Sequence, residues 1–220
     1  MARQSRSEVT RRKIIDSAVD LINEIGYPAA GLADIIERAE LTKGALYYHF
    51  DSKEALATVI IEEGMTLLLN VFQAARDSGP RALESVIVGT FAASDLLATD
   101  RTARAGTRLL RTFDGLNPAS KFAYQNFIDQ FNTDMVAAAE QGDLRSDARP
   151  EEVTEALVTS ILGIEVLSSA LADRTDMRER FTRVWNVVLP AIVTSDVLER
   201  YQGILAASAA STDPLETPAS

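Results

Sequence analysis

Residues 32–53, LADIIERAELTKGALYYHFDSK, hold the side chains of this chain best suited to meeting a polyanion. Lys43 offers a cation to a guanine edge or to a phosphate. Gly44 and Ala45 beside it are small enough to let a backbone approach base edges closely. Tyr48, His49 and Lys53 carry donors that suit phosphate oxygens, and Thr42 and Tyr47 flank them. Thr42 also makes a good N-cap, and the start of a helix itself favours anions. The chemistry these residues fit is recognition of a nucleic-acid backbone and its base edges.

Catalysis finds far less to work with. The chain has no Cys, which excludes a disulfide framework, a thiolate nucleophile and a thiolate zinc site. His49 is the only His, so a multi-histidine metal site is impossible and a Ser-His-Asp set would have to take its base from the same short segment. Acid pairs such as Glu62-Glu63 are adjacent and point apart on a helix. The expectation is a protein that is not an enzyme, with no metal and no other cofactor.

Charge narrows where a nucleic acid could bind. The 220 residues carry 22 Lys and Arg against 32 Asp and Glu, a net charge of −10. Residues 1–53 hold eight of each sign and are neutral, so residues 54–220 carry the whole excess. The first thirteen residues set Arg3, Arg6, Arg11, Arg12 and Lys13 against Glu8 alone. This basic arm, placed before the first helix, is suited to phosphate or minor-groove contact. Attraction to phosphates acts over about 8 Å at physiological salt, so a local basic end on an acidic body is sufficient. No uninterrupted apolar run reaches about 18 residues, and the basic start lacks the apolar core of a signal peptide. A cytoplasmic protein with no membrane span is expected.

The elements that must position these residues read as helices throughout, and the expected fold class is all-α. Ile14, Ile15, Ala18, Leu21, Ile22 and Ile25 recur at helical spacing, and Gly26 with Pro28 ends that helix. Leu32, Ile35, Ile36 and Ala39 form a second stripe, and Leu46 and Phe50 a third that starts at Thr42. Two short helices joined at Glu40-Leu41 fit a helix-turn-helix, with Leu32, Ile35, Ile36, Leu46 and Phe50 packed on the first helix. Asp51 with Glu54 reads as a capping box opening a long helix over 51–76. Further helices are expected at 81–98, 102–112, 119–141, 151–171 and 177–193. Three segments follow: a helix-turn-helix DNA-binding domain at 1–53, a helical ligand-binding and dimerisation domain at 54–206, and a disordered tail at 207–220.

The block Thr-Lys-Gly-Ala-Leu-Tyr-Tyr-His-Phe, followed by Ser-Lys-Glu-Ala-Leu, resembles the DNA-binding signature of TetR-type transcriptional repressors. The opening MARQ and the Thr10-Arg11 pair are similar to one subgroup, the γ-butyrolactone receptors of actinomycetes. The resemblance implies that Lys43, Gly44 and Ala45 touch bases while Tyr47, Tyr48, His49 and Lys53 mostly grip the backbone. It also implies a homodimer on a palindromic double-stranded operator, released by a small lipophilic ligand. An alternative within the family is a regulator answering to a drug or xenobiotic, and a carrier with no DNA role stands further off. Two positions depart from the pattern. Ala30-Gly31 replaces a capping Thr, and Phe127 stands where the subgroup places a pocket Trp, on an alignment through residues 138–143.

Two readings concern the larger part of the chain. Phe72, Phe91, Phe113, Phe122, Phe127 and Phe131 are either ordinary core or the wall of an apolar cavity, with Phe127 the first pocket candidate and Phe91 and Phe131 after it. Trp185 is expected to be buried among Val184, Val187 and Val188. The stripe of 151–171 is wider than one packing contact needs, which points to a face shared with a second copy, together with 177–193.

Overall fold

Ile14, Ile15, Ala18, Val19, Leu21 and Ile22 form the buried stripe of the first helix, α1 (Ala2–Ile25). The computed structural model describes residues 2–79, 81–113 and 117–211, with the side chains of residues 2–5 excepted. Helices α2 (Leu32–Arg38), α3 (Lys43–His49), α4 (Lys53–Ser78), α5 (Ala82–Thr99) and α6 (Arg101–Phe113) follow. The chain continues through α7 (Pro118–Glu140), α8 (Pro150–Ala172), α9 (Met177–Ile192) and α10 (Leu198–Ala210). Among the described residues the one extended pairing is an isolated antiparallel bridge between Leu144 and Val193. The fold is all-α.

Two compact units divide these helices. The first is Met1–Leu67 with Asp100–Ala123, and the second is Leu68–Thr99 with Tyr124–Ser220. This division differs from a cut at residue 53, because the first half of α4 and the whole of α6 pack in the unit that holds α1. In the first unit α1 touches α2, α3 and α6. In the second, α10 lies against α9 and α5, and α9 also meets α8.

Local chemistry explains three of the boundaries. Gly26 sits at φ +81 and its N–H donates to the Ile22 carbonyl, which closes α1 at the glycine expected to end it. Ser52, and not Asp51, caps α4: its Oγ accepts from the Ala55 N–H at 3.0 Å. At α7, Asn117 Oδ1 accepts from the Ala119 N–H at 2.8 Å.

Four expectations change. The basic arm is not an extension before the first helix, since α1 already begins at Ala2 and carries Arg6, Arg11, Arg12 and Lys13 on its own turns. Helix α10 was not read from the sequence, and it places residues 207–210 of the expected tail in a helix; residues 212–220 lie outside the described residues. Phe122 is exposed and not core. Finally, α4, α5 and α8 do reach the length and mean hydropathy of a membrane span, so the run-length criterion was too strict. Their burial differs: 61% of the apolar stretch of α5 is covered by the chain itself, against 28% for α8.

Candidate nucleic-acid interface

Helix α3 is held from below and bare above. Leu46 and Phe50 are buried on its inner side, where Ile35 of α2 is buried as well. Thr42 adopts the extended cap conformation and its Oγ1 accepts from the Ala45 N–H at 3.2 Å. Glu40, in the left-handed region at φ 54, turns the chain between α2 and α3. Gly31 begins α2 with no side chain to offer, and the Asp34 carboxylate instead accepts from the Gly31 N–H at 3.2 Å. Arg38 of α2 donates both terminal nitrogens to Glu24 of α1 at 2.6 and 2.7 Å, which holds the Glu24 carboxyl below the usual range.

The outer face carries the expected residues. Thr42, Lys43, Gly44, Tyr47 and Tyr48 are exposed, Tyr48 to 79%, while Ala45 and His49 are half-buried. Lys43 Nζ lies 5.7 Å from the Tyr47 ring centre, and the Tyr48 and His49 rings meet edge-on at 5.0 Å. A Cβ on Gly44 would meet nothing nearer than Thr42 Oγ1 at 4.0 Å, so packing does not require glycine there. Lys53 is placed differently from the rest. It is half-buried, donates from Nζ to the Tyr27 carbonyl at 2.5 Å and to that of Pro28 at 3.5 Å, and lies 4.2 Å from the Tyr27 ring centre. Burial beside Glu54 pushes the Tyr27 phenol up to about 12.

The basic residues of α1 are partly committed to the protein. Arg12 pairs with Asp16 at 2.9 Å and Glu63 at 2.7 Å, and Arg11 lies over the Phe50 ring at 5.4 Å. Lys13 and Arg6 are exposed.

The pocket candidates fall into separate groups. In the second unit Phe127, Phe131 and Phe72 form one buried cluster, with ring centres 4.6 to 5.8 Å apart. Phe91 belongs to another, against Phe181 and under the Arg178 guanidinium. Phe113 stacks with Tyr27 in the first unit. Trp185 is buried, and its indole N–H donates to Thr90 Oγ1 at 3.1 Å. A cleft of about 550 Å³ lies elsewhere, between the 145–147 turn and the α9–α10 junction, lined by Arg145, Pro190, Val193, Thr194 and Leu198 among others. Sequence reasoning missed Thr154 of α8, whose buried hydroxyl has no hydrogen-bond partner among the described residues; a Thr in an apolar stripe carries no visible signal of that kind. Among the described residues no three His, Cys, Asp or Glu side chains gather as a metal site.

Comparison with known proteins agrees with this architecture. Residues 14–60 match the profile of bacterial regulatory proteins of the tetR family, and residues 80–194 match a tetracyclin repressor-like C-terminal domain. The A-factor receptor protein of Streptomyces griseus is 31% identical over 198 residues, covering 90% of this chain and 69% of that one. Among solved structures, a γ-butyrolactone receptor described as ArpA-like superposes with a TM-score of 0.76 at 27% identity, covering 92% of this chain and 97% of the other. CprB of Streptomyces coelicolor, solved with its biological operator sequence, gives a TM-score of 0.74 at 27% identity over 92% and 97%.

Proposed function

Since the chain belongs to the TetR family of bacterial regulatory proteins, we propose that it is a cytoplasmic repressor, without enzymatic activity, that reads a palindromic operator as a homodimer and releases it on binding a small lipophilic ligand. The observation that carries the DNA reading is the bare face of α3. A glycine the fold does not need, an exposed cation at Lys43 and a 79% exposed Tyr48 stand on a helix whose other side is buried through Leu46 and Phe50. Lys43, Gly44 and Ala45 then meet bases, while Thr42, Tyr47, Tyr48, His49 and Lys53 hold phosphates. Lys53 must exchange the loop carbonyls for phosphate to do so. The functional segments are those read from the sequence: residues 1–53 contact DNA, and 54–206 bind ligand and dimerise.

The ligand reading rests on the second unit. Two of the three relatives above are receptors by name, one of them for γ-butyrolactones. Phe127 and Phe131 supply apolar wall; separately, the Thr154 hydroxyl of α8, without a hydrogen-bond partner among the described residues, is a polar group that water or a ligand carbonyl would satisfy, and left alone it costs about 1–3 kcal/mol. Phe127 has no N–H donor, so a lactone is held less tightly than by a pocket Trp. Helix α4 is continuous from Lys53 to Ser78, with residues to Leu67 in one unit and from Leu68 in the other, which makes it the lever for release. Coupling through it is limited to the ligand's differential affinity for the two states.

The test titrates γ-butyrolactones and a panel of lipophilic compounds against the protein–DNA complex, with release read by fluorescence anisotropy. Release by one class, weakened by Phe127→Ala or Thr154→Val, supports the reading. No release by any compound, with no ligand's affinity altered by Phe127→Ala, removes the induction scheme and the pocket together.

A further inference from the structure

Helix α6 comes from the middle of the chain, within the stretch that matches the C-terminal profile, yet it packs in the unit that holds α3. Its grip on α1 is detailed. Arg108 Nη1 donates to the carbonyls of Ile22 at 2.7 Å and Asn23 at 2.9 Å, in the last turn of α1. The Ile22 carbonyl already accepts from the Gly26 N–H and takes Arg108 as a second donor; the end of a helix carries partial negative charge, so a part-buried cation anchors it. Arg101 Nη1 reaches Asp20 at 2.6 Å and Nη2 reaches Asp16 at 3.0 Å, while Asn23 Nδ2 donates to the Arg101 carbonyl at 2.8 Å. On its other side α6 meets α4 at Gly106 and Gly64, so closely that a Cβ on either would lie 2.9 Å from the other's Cα. α6 therefore has little room to slide, and α1 is fixed against it at one end.

We propose that α6 is a working part of the DNA-reading unit, and that Arg108, aided by Arg101, is a positioning residue for the recognition helix α3. The inference rests on the DNA reading proposed above. The chain of contacts is short: Arg108 fixes the end of α1, α1 packs on both α2 and α3, and α3 carries Lys43 and Gly44. A readout geometry loosened by about 1 Å loses specific contacts before it loses phosphate attraction. The exposed Arg101 pairs are screened and matter less than the part-buried Arg108 bonds.

The experiment compares wild type, Arg108→Ala, Arg108→Lys and Arg101→Gln on a duplex retained by the wild-type protein from a random-sequence pool, and on its shuffled counterpart. Arg108→Ala is expected to lower the specific-to-shuffled affinity ratio about tenfold, or about 1.4 kcal/mol, with the salt dependence on shuffled DNA unchanged. Arg108→Lys, which keeps the charge and one donor, recovers most of the ratio, and Arg101→Gln falls between. Amide hydrogen exchange is expected to quicken at the end of α1 and in α3, and to stay constant in α8. An unchanged ratio in folded Arg108→Ala overturns the proposal, as does exchange altered in α6 alone. If wild type retains no duplex, the DNA reading falls, and the exchange measurement by itself decides whether α6 positions α3.

Discussion

At the scale of single residues, α3 separates those that hold the fold from those that wait for a partner. Gly44→Ala is expected to leave stability unchanged or raise it by up to about 1 kcal/mol, since alanine is the better helix former and its Cβ meets only Thr42 Oγ1, at an ordinary 4.0 Å. The same change is expected to weaken operator binding. Thermal denaturation beside anisotropy titration checks both, and a stability loss would show that the glycine is structural. Lys43→Ala should cost about 1–3 kcal/mol on specific DNA with no change in melting, as expected of a base-reading side chain. Lys53→Ala should weaken all sequences alike and also lower stability by about 1 kcal/mol, because it ties the Tyr27 and Pro28 carbonyls to the start of α4. The roles of Thr42, Leu46 and Phe50 were legible because capping and helical spacing are local, acting within four residues. The partner of Lys53 was not, since the Tyr27 carbonyl lies 26 positions away and a backbone oxygen has no sequence signature. Arg108 was invisible for the same reason, at a separation of 85 residues from Asn23.

Among whole elements, boundaries were readable wherever a residue type forces them. Gly26 ends α1 in the left-handed region, and Gly26→Ala is expected to destabilise the protein by about 1 kcal/mol in chemical denaturation. α10 escaped notice because its last turns, residues 206–210, are built of small residues and its end is fixed from a distance. Arg178 of α9 donates to the Ser208 carbonyl at 2.5 Å and also to that of Ser211, while the same guanidinium pairs with Asp95 of α5. The length of α1 was underestimated because its first turns lack an apolar stripe, and a basic run at a chain end reads as an arm. The crossing of α4 and α6 was also hidden, as two glycines 42 positions apart reveal nothing about each other. Gly64→Ala and Gly106→Ala each force backbone against Cβ at 2.9 Å, and about 1–3 kcal/mol of destabilisation is expected from each, seen as a lower melting temperature. Unchanged melting in both would mean that the helices separate freely.

For the molecule as a whole, the proposed dimer explains why α8 leaves so much of its apolar stretch uncovered. Val166, Leu167 and Leu171 are exposed on α8 and Val187 on α9, so a second copy would bury them in a four-helix face. Arg at both Ile161 and Leu167 is expected to give monomers in sedimentation velocity, because an unpaired charge is costly to bury; a wild-type monomer at micromolar concentration would remove the interface. The dimer matters for function because one α3 reads only a short half-site. The most direct test of the central claim is therefore the retained duplex itself, footprinted with wild type and with the triple variant Lys43→Ala, Tyr48→Ala, Lys53→Ala. The account predicts a palindrome whose half-sites are centred about 34–36 Å apart, or a multiple of that, protected by wild type and left open by the triple variant. Equal protection by the two proteins would contradict it.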